Sequence, residues 1–166
     1  MTRPTHIVAE RSLDWKDESH GSRYGWRRKQ LSTAAGGQKI GCSLYELPPG
    51  RRSFPYHHHC ANEEAIFVLE GAGTLKHPQG ETPIVAGDYV ALPASERGAH
   101  QVINSSDAPL RYLCVSTMIE PDVSIYPESG KIGVFVGSAP GGSEEKRTLK
   151  AFLRLTGRVG YWDGEE

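Results

Sequence analysis

The sequence predicts an all-β fold made of short antiparallel strands, and three observations support this prediction. Short runs rich in Val, Ile, Leu, Tyr and Phe recur along the chain. Clusters of glycine, proline, asparagine and serine separate most of these runs by hairpin-length joints. A helical repeat of apolar residues is almost absent. Many short strands with such joints are typical of an antiparallel sandwich or barrel.

The predicted strands follow one another closely through the middle of the chain. They are KIGCSLYEL (39–47), EAIFVLE (64–70), GTLKH (73–77), TPIVA (82–86), DYVALP (88–93), HQVIN (100–104), LRYLCVSTM (110–118) and KIGVFVG (131–137). Residues 143–155 are the one candidate for a helix, because Leu149, Phe152 and Leu153 could line one helical face. The same residues are also compatible with an extended strand.

Composition and turn signals predict three parts of the chain. Residues 1–37 are more polar and are predicted to be an N-terminal arm that packs on the barrel or on a partner subunit. Residues 38–137 are the predicted barrel core, and residues 138–166 form a C-terminal extension. The glycine-rich GSAPGGSEE (137–145) lacks the Lys-Ser or Lys-Thr pair of a phosphate-binding loop. We expect it to be a flexible surface loop.

The charge balance argues against nucleic acid and membranes as partners. Lys and Arg number 19, Asp and Glu number 20, and the formal net charge is −1. The one concentrated basic stretch, RYGWRRKQ (23–30), is predicted to be a solvated loop. The sequence shows neither a signal-peptide pattern nor an apolar run of membrane-spanning length. Three cysteines without CxxC spacing favour a reducing compartment, so a cytoplasmic location is predicted.

The segment PYHHHCANEE (55–64) concentrates possible metal ligands. Alternation along a strand would place His57 and His59 on one face and His58 on the other. A short turn would return Glu64 beside this pair and add a carboxylate oxygen to two imidazole nitrogens. His100 opens the predicted strand HQVIN, a position suited to a further inward-facing ligand.

Two longer motifs resemble those of the cupin superfamily. Their residues are Gly50, His57, His59, Glu64 and Gly71 in the first motif, and Gly87, Pro93, His100 and Asn104 in the second. The similarity extends from about residue 38 to about residue 120, and both the order and the spacing of the motifs match. Two loop segments are longer than the family pattern, after Gly50 and between Pro93 and His100. The late segments look like those of small bacterial cupins loosely described as sugar-phosphate-isomerase-like.

The resemblance implies a double-stranded β-helix, or jelly-roll, cupin barrel with an N-terminal arm and at most one short C-terminal helix. It also implies that His57, His59, Glu64 and His100 are ligands of one divalent metal ion, while His58 faces outward. Glu63 is the competing carboxylate, but the six residues between Glu64 and Gly71 match the motif better.

Other notable side chains are predicted to have structural roles. Asn104 is expected to close a turn. Packed thiols or barrel-filling aromatic rings are expected at Cys42, Cys60, Cys114, Tyr45, Phe67, Tyr89 and Tyr112. Edge strands need covering, and the arm together with the late strand predicts a homodimer.

The implied ligand set leaves two positions of an octahedral ion open, which is typical of a catalytic site. Three imidazoles and one carboxylate suit Mn²⁺, Fe²⁺, Ni²⁺ or Zn²⁺. The expected function is that of a metalloenzyme acting on a sugar, a sugar phosphate or a hydroxy acid by isomerisation. An iron- or nickel-dependent dioxygenase and a non-catalytic binding or sensor module are the alternatives.

The sequence does not identify the catalytic residues. An isomerase needs a base near the metal, and several polar residues lie close to the first motif in sequence. They are Glu46, Arg51, Arg52 and Tyr56. The two arginines would suit a phosphate or carboxylate, although a solvated surface position explains them equally well.

Overall fold

Antiparallel strands arranged as a jelly roll make up most of the structure, a computed structural model that describes residues 4–165. The strands form where apolar and polar side chains alternate. In residues 64–70, for example, Ile66 and Val68 are buried while Phe67 and Leu69 are exposed. The all-β jelly-roll prediction is therefore confirmed.

The described residues contain thirteen strands, one short α-helix and three single-turn 3₁₀ helices. The strands are β1 (Lys16–His20), β2 (Tyr24–Gln30), β3 (Ile40–Leu47), β4 (His58–His59), β5 (Glu64–Glu70), β6 (Ala72–His77), β7 (Gly80–Val85), β8 (Tyr89–Leu92), β9 (Gln101–Ile103), β10 (Leu110–Thr117), β11 (Asp122–Tyr126), β12 (Lys131–Val136) and β13 (Leu149–Arg154). The helices are α1 (Leu31–Ala34) and the 3₁₀ turns Glu10–Ser12, Glu96–Gly98 and Leu155–Gly157.

These strands form three sheets. The six-stranded sheet has the order β1-β2-β3-β10-β5-β8, the four-stranded sheet β13-β12-β11-β4, and the three-stranded sheet β7-β6-β9. Neighbouring strands in all three are antiparallel. A sheet order with long crossovers between sequence neighbours brings together segments that are far apart in the chain.

The hydrophobic core lies between the six-stranded and three-stranded sheets. The first sheet contributes Leu47, Ile66, Val68, Leu92 and Leu110, and the second contributes Leu75, Ile84 and Val102. All of these side chains are buried. Burial of each such side chain stabilises the fold by roughly 1.5–3 kcal/mol. This hydrophobic core, the packed end of the jelly roll, holds one end of the strands whose other ends reach the candidate site.

The six-stranded sheet also faces the four-stranded sheet, and a cavity of about 180 Å³ lies between them. Tyr45 and Tyr112 project into this cavity from the first sheet, as the prediction of interior aromatic rings requires. Phe67 and Tyr89, for which the same prediction was made, are instead 40% and 67% exposed. They occupy the outward positions of β5 and β8, so their predicted interior location is wrong.

The N-terminal region is a β-hairpin that extends the main sheet. Strand β2 pairs with β3 along Arg27–Glu46 and Arg28–Tyr45, and β1 pairs with β2 at the sheet edge. The prediction of a solvated loop over residues 23–30 is therefore wrong. Lys29, for instance, is buried and forms an ion pair with Glu10 at 2.7 Å.

The C-terminal region corrects the helical alternative for residues 143–155. Residues Leu149–Arg154 form strand β13, which pairs with β12 from Lys131 to Val136. β13 pairs with the edge of β12. If residues 149–154 formed a separate helix, the backbone N–H and C=O groups on that edge of β12 would face solvent. Phe152 and Leu153 remain half-exposed on this edge strand. The predicted homodimer stays a prediction.

None of the helices within residues 4–165 has the length and apolar character needed to cross a lipid bilayer.

Asn104 closes the turn after β9, as predicted. Its side chain is completely buried, and Nδ2 donates hydrogen bonds of 2.8 Å to the carbonyl oxygens of Leu47 and Ala108. Its Oδ1 accepts hydrogen bonds from the backbone N–H and the hydroxyl of Ser106. The amide thus joins the second motif to the end of β3 and pairs with the buried carbonyl oxygen of Leu47, to which water has no access.

Replacement of Asn104 by alanine is expected to lower the free energy of unfolding by about 2–4 kcal/mol, because the buried Leu47 carbonyl oxygen loses its partner and the turn at Ser106 loses its hydrogen bonds. Urea denaturation measures this change. Ser105→Ala, next to it in an exposed position that contacts Thr74, is the matched control and should change stability by less than about 0.5 kcal/mol. Similar losses for the two variants would contradict the proposed turn-closing role.

Candidate metal centre

Four side chains converge at one place on the cavity wall. One ligand atom each from His57, His59 and Glu64 lie within 4.8 Å of one another. Glu64 Oε2 is 3.5 Å from His59 Nε2 and also 3.5 Å from His100 Nε2. The His57 ring centroid lies 5.1 Å from that of His59 and 4.8 Å from that of His100. The structure therefore brings together the four residues predicted from the sequence.

Backbone pairing explains why the two motifs meet. The N–H of His57 donates to the carbonyl oxygen of His100 at 3.1 Å, and the N–H of His100 donates back at 2.8 Å. His59 belongs to the two-residue strand β4, which pairs with β11 opposite Ser124. Glu64 begins β5 and points inward together with Ile66. The positions of all four groups are thus determined by strand pairing.

Glu63 lies outside this cluster. Its side chain is exposed, and its backbone N–H donates to the Thr117 hydroxyl at 3.0 Å. A one-residue change along a strand moves a side chain to the opposite face. The two adjacent glutamates therefore cannot both face the cavity.

Hydrogen bonds at Nδ1 orient the three imidazole rings. His57 Nδ1 donates to the Pro55 carbonyl oxygen and His100 Nδ1 donates to that of Gly98, each at 2.9 Å. Carbonyl oxygens can only accept, so the ring hydrogen of both residues lies on Nδ1. Each Nε2 consequently presents a lone pair to the cluster, the arrangement found for histidines that bind metals.

The third imidazole, that of His59, is oriented by a buried carboxylate. Its Nδ1 is 2.6 Å from Asp122 Oδ2, and Asp122 has no exposed surface. The second oxygen, Oδ1, accepts a hydrogen bond of 3.0 Å from the Ala61 N–H. The sequence analysis missed Asp122. The only signal for it was an acidic residue directly before the apolar-rich VSIY.

Burial and neighbouring charges perturb the pKa values of these groups. Burial, with repulsion from the other imidazoles, lowers the pKa of His57, and burial also lowers that of His100. Burial would also lower the pKa of His59, but the hydrogen bond to Asp122 and the charge of Glu64 raise it. Burial would raise the pKa of Asp122, yet its hydrogen bond with His59 holds it lower. His57 and His100 are therefore neutral at pH 7, the form that binds metal ions.

His58 lies on the other face of β4, as strand alternation predicts, but it is not exposed. Only 8% of its surface is accessible, and it lines a separate groove with Tyr56 and Arg97. Because the residues of this groove surround His58, its side chain is buried even though it faces away from the cavity. Cys60, predicted to be a packed thiol, is exposed.

The rest of the cavity is lined by aromatic and other apolar side chains, with a few polar groups. Tyr126 stacks on the His57 ring at a centroid distance of 5.7 Å. The lining residues beyond the four-residue cluster include Arg28, Tyr45, Phe54, Tyr112, Cys114, Ser124, Tyr126 and Phe135. Pro140 and Gly141 complete the wall, and Gln30 Nε2 holds Gly141 through a hydrogen bond of 2.8 Å to its carbonyl oxygen. Two residues of the glycine-rich segment 137–145, which was predicted to be a flexible surface loop, therefore line the cavity.

The polar residues that lie near the first motif in sequence are elsewhere in the structure. The Glu46 carboxylate pairs with Arg27 at 2.6 Å and Arg51 donates to the Ser22 carbonyl oxygen, whereas Tyr56 lines the His58 groove. Cys114 packs against the core as the predicted packed thiol, and its Sγ is also 3.9 Å from Glu64 Oε1. Burial and the Glu64 charge raise the pKa of this thiol well above its ordinary value, so it stays protonated.

Comparisons with known proteins agree with this fold. A family model of the cupin domain matches residues 43–116. The L-ectoine synthases of Mycobacterium sp. (strain KMS) and of Mycolicibacterium vanbaalenii are each 34% identical over 107 residues. Each alignment covers 63% of this chain and 78% of the relative.

Solved structures resemble the chain over nearly its whole length. A sugar phosphate isomerase of the cupin superfamily from Silicibacter pomeroyi has a TM-score of 0.77 at 28% identity, covering 95% of this chain and 98% of that one. A protein from Acidithiobacillus ferrooxidans, 24% identical, has a TM-score of 0.80 and covers 94% and 96% of the two chains. The second likeness concerns the fold alone. The family model, the ectoine synthase relatives and the Silicibacter pomeroyi structure together show that the chain belongs to the cupin superfamily.

Proposed function

We propose that this protein is a metal-dependent enzyme that isomerises a small polar molecule, or carries out a related proton transfer, in the cavity between the two sheets. His57, His59, Glu64 and His100 would hold one divalent ion. The single observation that carries this proposal is the convergence of imidazole Nε2 atoms on the Glu64 carboxylate. Hydrogen bonds at every Nδ1 fix these rings in a ligating orientation.

The donor set fits a catalytic ion better than a structural one. Imidazole and carboxylate donors suit Mn²⁺, Fe²⁺, Ni²⁺ or Zn²⁺, and structural zinc sites mostly use cysteine. When bound, such an ion polarises a carbonyl or hydroxyl oxygen and so makes an adjacent proton more acidic. The cluster borders an open cavity, so a small molecule can reach it.

The surrounding residues would orient the substrate and limit access of water. Phe54, Tyr126 and Phe135 supply apolar ring surface on the cavity wall. Burial raises the pKa of Tyr126, so its hydroxyl stays protonated at neutral pH and can donate to a substrate oxygen. The relatives' names, L-ectoine synthase and sugar phosphate isomerase, are names of enzymes of small polar molecules and support this substrate class.

Alanine substitutions test the ligand set directly. His57→Ala, His59→Ala and His100→Ala are each expected to remove most of the bound metal, because each removes one of the donors. His58→Gln should retain it, because His58 lines a different groove. Elemental analysis of protein purified without a nickel column measures the metal content, and thermal melting verifies that each variant is folded. Equal losses from His58→Gln and His59→Ala would reject the ligand assignment.

The buried carboxylate behind His59 is expected to strengthen metal binding. Asp122→Asn removes the negative charge that holds the His59 ring, and the Kd of the metal should rise about 10- to 100-fold. Competition with a chromophoric chelator measures the Kd. The control is Glu63→Gln, which alters an exposed carboxylate nearby and should leave the Kd unchanged. An unchanged Kd in Asp122→Asn would show that the His59 orientation does not depend on this carboxylate.

Incubation of the metal-loaded protein with sugar phosphates and hydroxy acids in D₂O tests the reaction. We expect NMR to show deuterium entering the carbon next to a carbonyl, and His100→Ala should abolish this exchange. Consumption of oxygen would instead assign a dioxygenase. Stabilisation by a ligand without any turnover would replace the enzyme proposal by a binding or sensor role.

A further inference from the structure

We infer that Arg28 binds an anionic group of the substrate, so that the cavity takes a small molecule carrying a carboxylate or a phosphate. This inference rests on the proposed function, because it places the anion at Arg28 and the reacting oxygen at the metal ligands. Arg28 lies on β2, outside the two sequence motifs, and lines the same cavity as His57 and Glu64.

Strand alternation separates Arg28 from its neighbour Arg27. Arg27 pairs with the Glu46 carboxylate at 2.6 Å, while Arg28 is in register with Tyr45 and faces the cavity with it. The positively charged guanidinium of Arg28 lies close to the Tyr45 hydroxyl and interacts with it electrostatically. Burial raises the pKa of that hydroxyl, and the positive charge of Arg28 offsets part of the rise. Tyr45 thus remains a hydrogen-bond donor beside the guanidinium.

Arg28 lacks the carboxylate partner that comparable arginines have. Arg27 and Arg111 both contact Glu46, whereas no ion pair joins Arg28 to a carboxylate within residues 4–165. The Nε atoms of all three arginines are buried without a hydrogen-bond partner there, so the missing carboxylate is what distinguishes Arg28. A half-buried cation without a carboxylate partner is costly, because burial removes water that would otherwise solvate the charge. An anionic ligand would supply the missing acceptor.

The charges and donors around Arg28 also favour an anion. Glu64 is the one acidic residue among the described residues that line the cavity, and it would be engaged by the metal ion. A divalent ion and Arg28 would therefore leave the cavity with a net positive charge. The planar guanidinium presents parallel N–H groups that match two oxygens of a carboxylate or a phosphate. The cavity volume of about 180 Å³ limits the ligand to a small molecule.

Binding of paired probes to the metal-loaded protein tests this inference. The pairs are lactate with lactamide and glycerol 3-phosphate with glycerol, which separate a carboxylate site from a phosphate site. Calorimetry should show that at least one anion binds and that its neutral counterpart binds at least about tenfold more weakly. Arg28→Gln should raise the Kd of that anion about 10- to 100-fold, because hydrogen bonds to a charged group are lost. Arg28→Lys should retain part of the affinity.

Arg27→Gln is the matched control, since it removes an adjacent arginine from the opposite face of the same strand. It should leave the anion affinity unchanged, and both variants should keep the wild-type metal content. The inference is overturned if neutral and anionic probes bind equally, if no anion binds the wild type below about 10 mM, or if the two arginine variants behave alike. Absence of metal from the wild type would reject the proposed function, and the same titration of metal-free protein would then decide separately on Arg28.

Discussion

The reciprocal backbone hydrogen bonds between His57 and His100 are the constraint on which the candidate site depends. They place His57 of the first motif directly beside His100 of the second, although the two motifs are distant in the chain. Each imidazole then needs one further anchor at Nδ1, and the nearby carbonyl oxygens of Pro55 and Gly98 supply it. Because backbone atoms provide these contacts, the ring orientations follow from the fold.

The main sheet combines two different environments along the same strands. In β5, Ile66 and Val68 are buried in the core, while Glu64 at the start of the strand faces the cavity. In β10, Leu110 lies in the packed end and Cys114 lies beside Glu64. The hydrophobic core at the packed end stabilises the fold. This stabilisation offsets the cost of keeping an open cavity lined with polar groups at the other end.

Local sequence patterns predicted the parts of the structure that depend on short-range spacing. The His57-x-His59 alternation follows from side-chain periodicity, whereas the choice of Glu64 over Glu63 followed from the match to the cupin motif. Asp122 and Arg28 could not be predicted in this way, because their relation to the site arises from pairing of β11 with β4 and of β2 with β3. Residues 143–155 were ambiguous because the apolar spacing of Leu149, Phe152 and Leu153 fits both periods. Pairing with β12 decides the question.

The wall of the cavity is built from two parts of the chain, one of which includes the glycine-rich segment 137–145. Pro140 and Gly141 line its wall, and both they and Arg28 lie outside residues 43–116, the part that matches the cupin domain model. His57, His59, Glu64 and His100 lie inside that part. Changes of length or sequence in the flanking segments can therefore alter which molecule fits without disturbing the four convergent side chains.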